Sequence, residues 1–285
     1  MKKILLSLLL VVLLLGVTAD HPVQVIVLSL LQGLTEFLPI SSSAHLVFVP
    51  NLTGWPDQGL AFDCMVHLGT LAAVVGYFWR DLLRMLGGGL ICLKERSLGA
   101  SQEGWLLFLI LVATIPVGLA GLALKDIVET TLRSTTVIAL ASIGFGLLLW
   151  LADRQGRRQK TTEDWGLRQA MLVGCAQALA LIPGTSRSGA TMTAALMLGY
   201  TREAAARFSF LLSIPVIILA GGLKMLDWMQ QPESYMTAPD LMLGFVLSAV
   251  SGYACIHYFL GFIERMGWVP FVAYRIGLGF MLLLL

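Results

Sequence analysis

Long apolar stretches alternate with short charged segments along the chain. Runs at 60–79, 104–124, 137–151, 204–223, 241–262 and 268–285 each approach the length a helix needs to cross a ~30 Å hydrocarbon core. They predict six full spans. Two further apolar regions, 23–50 and 167–199, are broken near their middles by Pro39 and Pro183 with Ser, Thr and Gly alongside. Each half offers about 11 to 16 residues, or about 16 to 24 Å of helix, too short to cross. Irregular backbone at membrane depth must be buried in protein or line a wet cavity. These regions therefore predict re-entrant helix hairpins with internal tips. The fold class expected is an all-α integral membrane protein.

Composition strengthens this reading, since 57% of the 285 residues are hydrophobic and only 13% charged, against about 25% charged in soluble domains. A net charge of +2 gives no support for a nucleic-acid partner. Its distribution is more informative. Arg80, Arg84, Lys94 and Arg96 crowd 80–103, and Arg154, Arg157, Arg158, Lys160 and Arg168 crowd 152–169, whereas 51–60, 124–134 and 224–240 are sparse in Lys and Arg. By the positive-inside rule the first two are cytoplasmic and the last three are external loops. Cys64, Cys92, Cys175 and Cys255 are scattered without a C-x-x-C and read as core filler. Residues 1–20 combine a basic start, an apolar run and a small-residue exit, so they resemble a signal peptide or an anchor.

The two broken regions are alike: "FLPISSSAHLVF" beside "LIPGTSRSGATM", with "IGFGLLLW" (143–150) beside "IGLGFMLL" (276–283) further on. The chain reads as two repeats, 21–151 and 167–285, joined by a cytoplasmic linker at 152–166. Each holds one re-entrant hairpin and three transmembrane helices. An odd number of spans turns the second repeat over, giving inverted topology, which puts a site near the midplane where half-helices meet.

Chemistry concentrates at the tips. Gln32 and Glu36 are four apart and share a helix face. Glu36 falls in a last turn, where a buried carboxylate needs a cation, either a divalent metal or a neighbouring arginine. Ser41, Ser42 and Ser43 then open a second half-helix, whose free N–H groups their hydroxyls can cap. His45 follows, as a proton shuttle or as a hydrogen-bonded packing residue. In "PGTSRSGAT", Arg187 is one of two basic residues, with Arg275, left at membrane depth, where such a charge is costly and functional by default. Gly184 permits close backbone approach, and Thr185, Ser186 and Ser188 supply hydroxyls at a helix N-terminus. With the arginine they compose an anion site. Phosphate suits it, with Glu36 holding a divalent metal against it. Asp63 and His67, four apart, are either metal ligands or a hydrogen-bonded pair, and Arg275 is expected to neutralise an acidic group.

At these residues the sequence resembles the undecaprenyl-diphosphate phosphatase family, the bacitracin-resistance type of membrane phosphatase, over about 22–285. The carrying motifs are "QGLTEFLPISSSAH" and "PGTSRSGAT". The resemblance implies hydrolysis of undecaprenyl diphosphate to the monophosphate carrier for peptidoglycan synthesis, in a multi-pass protein of the bacterial inner membrane. It implies Glu36, Ser42, His45 and Arg187 as catalytic residues, a substrate-binding set of Ser41, Ser43, Gly184, Thr185, Ser186, Ser188 and Thr191, and Mg²⁺ or Ca²⁺ held by Glu36 and Gln32. Gln32 stands where family members carry Glu or Gln, so a mechanism needing two carboxylates there is in doubt. Ser42 as nucleophile competes with direct attack by metal-activated water. The competing function is a secondary transporter or polyprenyl-phosphate flippase, which shares broken midplane helices but does not need so rich a cluster. Oligomeric state is open, with a homodimer as one option.

Overall fold

The computed structural model describes residues 11–130, 132, 134–230 and 235–284. It is helical: α1 (Pro22–Phe37), α2 (Ser42–Thr53), α3 (Gly59–Tyr77), α4 (Trp79–Glu95), α5 (Gln102–Thr130), α6 (Thr135–Gln155), α7 (Leu167–Ala178) with a 3-10 turn (Leu179–Leu181), α8 (Arg187–Met197), α9 (Arg202–Gln230), α10 (Ala238–Met266) and α11 (Val269–Leu284). Five of these, α3, α5, α6, α9 and α10, are long and apolar enough to cross a membrane. This is an integral membrane protein. The sixth expected span is α11, of which 16 residues are described, about 24 Å of helix. Residues 1–10 of the signal-like segment lie outside the described residues; 11–18 are helical, and Val12, Leu15 and Ala19 pack against a cluster containing Val25, Leu28 and Phe62.

Both expected breaks are present. α1 and α2 are separated by Leu38–Ser41, and α7 and α8 by the 3-10 turn and the stretch through Ser186. The pairs pack in matching ways, α1 on α10 and α7 on α5, while α3 also packs on α10 and α9 on α5. Close approach depends on missing side chains: a Cβ on Gly33 of α1 would lie 1.9 Å from Ser251 Oγ, and one on Gly174 of α7 would lie 2.3 Å from the Ala113 carbonyl oxygen. Small residues at such crossings let backbones meet where lipid offers no hydrophobic drive. The opposite face of α5 presents Leu111, Ile115, Leu119 and Leu122 outward, a stripe at helical spacing that suits lipid.

Three features depart from the sequence reading. α4 was hidden inside an expected cytoplasmic loop, because Arg80, Asp81, Arg84, Lys94 and Glu95 disguise an amphipathic helix with Leu83, Leu86, Leu90 and Leu93 exposed. α9 runs on through 224–230, the first part of the 224–240 stretch expected as an external loop, so Lys224 and Asp227 are helical, and 231–234 lie outside the described residues. Cys175 is exposed on α7 and is not core filler; the other three cysteines are buried.

Candidate active site

α1 stops at Phe37 because Leu38, preceding a proline, is driven to extended backbone (φ −73°, ψ 148°). That leaves Glu36 in the final turn, 9% exposed, at the negative helix end. The cation it needs arrives from the other tip. Arg187 Nη2 lies 3.3 Å from Glu36 Oε1, and Nη1 donates to the Ser209 carbonyl at 3.2 Å. The other carboxylate oxygen, Oε2, accepts from Ser42 Oγ at 2.6 Å and from Gln32 Nε2 at 3.0 Å, with His67 Nε2 3.9 Å away. One carboxylate thus joins a serine, an arginine, an amide and an imidazole drawn from α1, α2, α3 and α8.

The tips are built alike. Ser41 and Ser186, the residues before α2 and α8, both hold φ 68°, a left-handed value rare outside glycine. Ser41 Oγ pairs with Ser43 Oγ at 3.3 Å, and Ser186 Oγ with Ser188 Oγ at 3.1 Å. Their capping differs. Ser186 accepts from the Gly189 N–H, as expected of a cap, whereas Ser41 makes no side-chain cap bond and the capping expectation fails there. Gly184 has φ 91°, and any Cβ on it would meet the Ile138 carbonyl oxygen at 2.3 Å, so only glycine fits this turn.

Arg275 on α11 ties the tips together. Fully buried, it donates to the carbonyls of Pro39 (3.1 Å), Gly184 (2.9 Å), Thr185 (2.7 Å) and Ser142 (3.2 Å). The expected acidic partner is replaced by backbone oxygens, for which the five-donor guanidinium is well suited. Ser188 Oγ adds a bond to the Leu38 carbonyl at 2.8 Å.

A cavity of about 240 Å³ opens beside Glu36. Glu36, Ser41, Ser42, Ser43, Gly184, Ser186 and Arg187 from the predicted set line it, joined by Thr35, Cys64, His67 and Lys224, with Val216, Ile217 and Ala220 as an apolar wall. Other predicted residues sit behind. His45 does not line the cavity: its Nδ1 meets the Ser41 carbonyl at 2.8 Å and its Nε2 meets Tyr274 Oη at 2.5 Å. Thr191 is bonded to Ser209 Oγ at 2.7 Å, and the Thr185 hydroxyl is buried without a partner among the described residues. Asp63 and His67 do not pair through their side chains. Asp63 Oδ1 accepts from Gln58, and His67 Nδ1 bonds the Asp63 carbonyl, which turns the imidazole toward Glu36. His67 was expected only with Asp63, as a metal ligand or a packing pair, and Lys224 was missed, because no local spacing reveals a neighbour contributed by a distant helix.

With this geometry in place, the relatives are informative. The sequence model of the family "Bacitracin resistance protein BacA" matches residues 25–281. The chain belongs to the BacA family. Among curated BacA relatives, "Undecaprenyl-diphosphatase 2" of Stutzerimonas stutzeri is 54% identical over 92% of this chain and 97% of its own length. Proteins named "Undecaprenyl-diphosphatase" from Thioalkalivibrio sulfidiphilus (53%; 92% of this chain, 98% of the relative) and Teredinibacter turnerae (54%; 91% and 97%) match as broadly. The transporter reading is not favoured.

Whether this BacA site suits a divalent cation can be asked of its donors. Among the described residues no group of three or more His, Cys, Asp or Glu side chains is arranged to hold a metal. The Gln32 amide oxygen, however, is buried without a partner among the described residues, and turning over the amide, whose nitrogen donates to Glu36 Oε2 at 3.0 Å, would bring that oxygen beside the carboxylate and the Ser42 hydroxyl bound to it. These are hard oxygen donors. They fit an ion such as Mg²⁺, which takes one or two carboxylates and completes its shell with waters and substrate phosphates.

Proposed function

We infer that the protein is a membrane hydrolase that removes the terminal phosphate from undecaprenyl diphosphate, releasing undecaprenyl phosphate and inorganic phosphate. Returning the carrier to the monophosphate form supplies peptidoglycan synthesis and underlies bacitracin resistance. The observation that carries this reading is the convergence of Ser42 Oγ, 2.6 Å from Glu36, and Arg187, 3.3 Å from the same carboxylate, in one cavity. The cavity has room for roughly eight waters at about 30 Å³ each. A phosphorylated headgroup fits within such a space, and a C55 tail does not. The tail stays in lipid along the apolar α9 wall.

Ser42 is the nucleophile in this reading. Its Oγ proton passes to Glu36, to which it already points through a short charge-assisted bond. The oxygen attacks the terminal phosphorus, the bond to the bridging oxygen breaks, and undecaprenyl phosphate leaves as an anion needing no proton. Water then attacks the phosphoserine: its proton passes to a phosphate oxygen, the bond to Ser42 Oγ breaks, and Glu36 returns the proton it holds to that oxygen as inorganic phosphate leaves. Arg187 supplies a fork of donors for charge on the transferred phosphoryl oxygens. The proton role assigned to His45 thereby moves to Glu36, and His45 positions the Ser41 carbonyl. A divalent cation held by Glu36 and Gln32 would neutralise phosphate charge when bound.

The finer architecture belongs to the same proposal: two inverted repeats of the bacterial inner membrane, each with a re-entrant hairpin. It is supported by the matching φ 68° of Ser41 and Ser186 and by the parallel packing of α1 on α10 and α7 on α5. Purified protein given C55 diphosphate should release one phosphate per lipid, faster with Mg²⁺ or Ca²⁺ than with chelator. No release above a protein-free blank under any of these conditions would end the hydrolase reading.

A further inference from the structure

Lys224 is the basic residue of the cavity for which neither the predicted site nor the reaction has a use. Val216, Ile217, Ala220, Gly221 and Lys224 follow one face of α9 down the cavity wall, the last about 12 Å from the first at 1.5 Å per residue. Helical side chains lean toward the N-terminus, so Lys224 leans back over Ala220 toward the tips. It is half-buried, and among the described residues it makes neither a hydrogen bond nor an ion pair. Arg187 and Glu36, by contrast, neutralise each other. The cavity therefore holds a cation without a direct partner, set along the wall from the serine, with Asp227 one turn further along α9 and Asp63 as the acidic groups in its neighbourhood.

We propose that Lys224 is a substrate-binding residue that grips the lipid-linked phosphate of the diphosphate, the one that remains on the product. The proposal rests on the hydrolase reading. With the terminal phosphoryl group at Ser42 and Arg187, the second phosphate lies one bridging oxygen away, on the side where the apolar α9 wall leads out to lipid. A compact ammonium on a flexible four-carbon stem suits a group whose position changes little during reaction, whereas the Arg187 fork faces the phosphorus that is attacked. Lys224 binds substrate and product alike, so it sets KM and product inhibition and leaves kcat nearly untouched. A lysine merely extended to the headgroup region would affect neither.

The test uses purified full-length wild type, Lys224→Met, Lys224→Gln and Lys224→Arg in detergent, with farnesyl diphosphate as soluble substrate. It adds farnesyl monophosphate and orthophosphate as inhibitors and the methylenediphosphonate analogue of farnesyl diphosphate as a non-hydrolysed ligand. One charge-assisted hydrogen bond lost predicts about a tenfold rise in KM for Lys224→Met and Lys224→Gln. Inhibition by farnesyl monophosphate weakens about as much, kcat changes less than about threefold, orthophosphate inhibition is unchanged, and Lys224→Arg stays near wild type. Either neutral variant, folded and with wild-type KM and product inhibition, overturns the proposal. If wild type releases no phosphate from any lipid diphosphate, the hydrolase reading fails separately. Binding of the phosphonate then decides for Lys224: equal affinity in wild type and the neutral variants overturns it, and a loss near tenfold upholds it.

Discussion

Replacing Arg187 with lysine keeps the charge and removes the fork. In the structure Nη1 is committed to the Ser209 carbonyl at 3.2 Å and Nη2 to Glu36 at 3.3 Å, while Nε is buried without a partner among the described residues. An ammonium, a point charge on a flexible stem without the planar fork, satisfies one of these directions. Losing one donor aimed at developing charge costs about 10² to 10³ in kcat, or about 2.7 to 4 kcal/mol, so Arg187→Lys should lower kcat about a hundredfold. Arg187→Ala does something further. It strands the Glu36 carboxylate, 9% exposed, without its counter-cation, and breaking such a pair from one side costs about 3 to 5 kcal/mol. Adding Glu36→Gln to Arg187→Ala removes the stranded charge, so the double variant should regain thermal stability in detergent while remaining inactive. Phosphate release and thermal unfolding on all three proteins test this. Folded Arg187→Lys with kcat within about threefold of wild type would refute the transition-state role, and a double variant no more stable than Arg187→Ala would refute the buried pair.

Three other expectations can be checked alongside. Glu36→Gln should cut turnover by at least about a hundredfold and flatten the divalent-cation dependence, whereas Gln32→Glu should keep activity and shift half-saturation to lower Mg²⁺; a cation titration of both variants reads this directly. Arg275→Leu frees four carbonyl groups at the tips, and at about 1 to 3 kcal/mol for each one left unsatisfied the protein should lose several degrees or more of melting temperature together with its activity. In a Cys175→Ser background, Asp57→Cys should react with an impermeant maleimide in intact cells and Gln159→Cys only after lysis. Equal labelling of the two would remove the inverted arrangement.

Much of this architecture was legible because the membrane makes polarity expensive. A serine triplet, Pro39 and Glu36 inside an apolar run have few explanations, and the same is true of Arg187. Five of the six expected spans appear close to their predicted limits. What escaped was amphipathic or remote. Charge density marked 80–103 as a loop, since an amphipathic helix such as α4 carries its apolar face at helical spacing and not as a run. Lys224 was assigned to a loop for the related reason that a lysine near a helix end looks like a terminus, although α9 continues to Gln230. The i,i+4 spacing sets His67 on one face with Asp63, as metal ligands or a packing pair, but α3 turns the imidazole to a carboxylate on α1. Spacing specifies a shared face and leaves open what that face meets.

Arg275 shows how the tips keep a geometry that neither half would hold alone. Ser41 and Ser186 occupy backbone conformations that each cost about 1 to 3 kcal/mol and persist only when their surroundings over-determine them. Within two residues of each strained serine, a carbonyl is held by the same guanidinium: Pro39 at one tip, Gly184 and Thr185 at the other. A neutral side chain could reach one of these oxygens but lacks the donors for all of them, so the buried charge is retained for its hydrogen-bonding capacity and not for an ion pair. The same residue also leaves a positive charge behind the tips once Glu36 and Arg187 have neutralised each other. The arrangement that holds the two tips together therefore also biases the cavity toward anions, through a side chain that does not itself line the cavity.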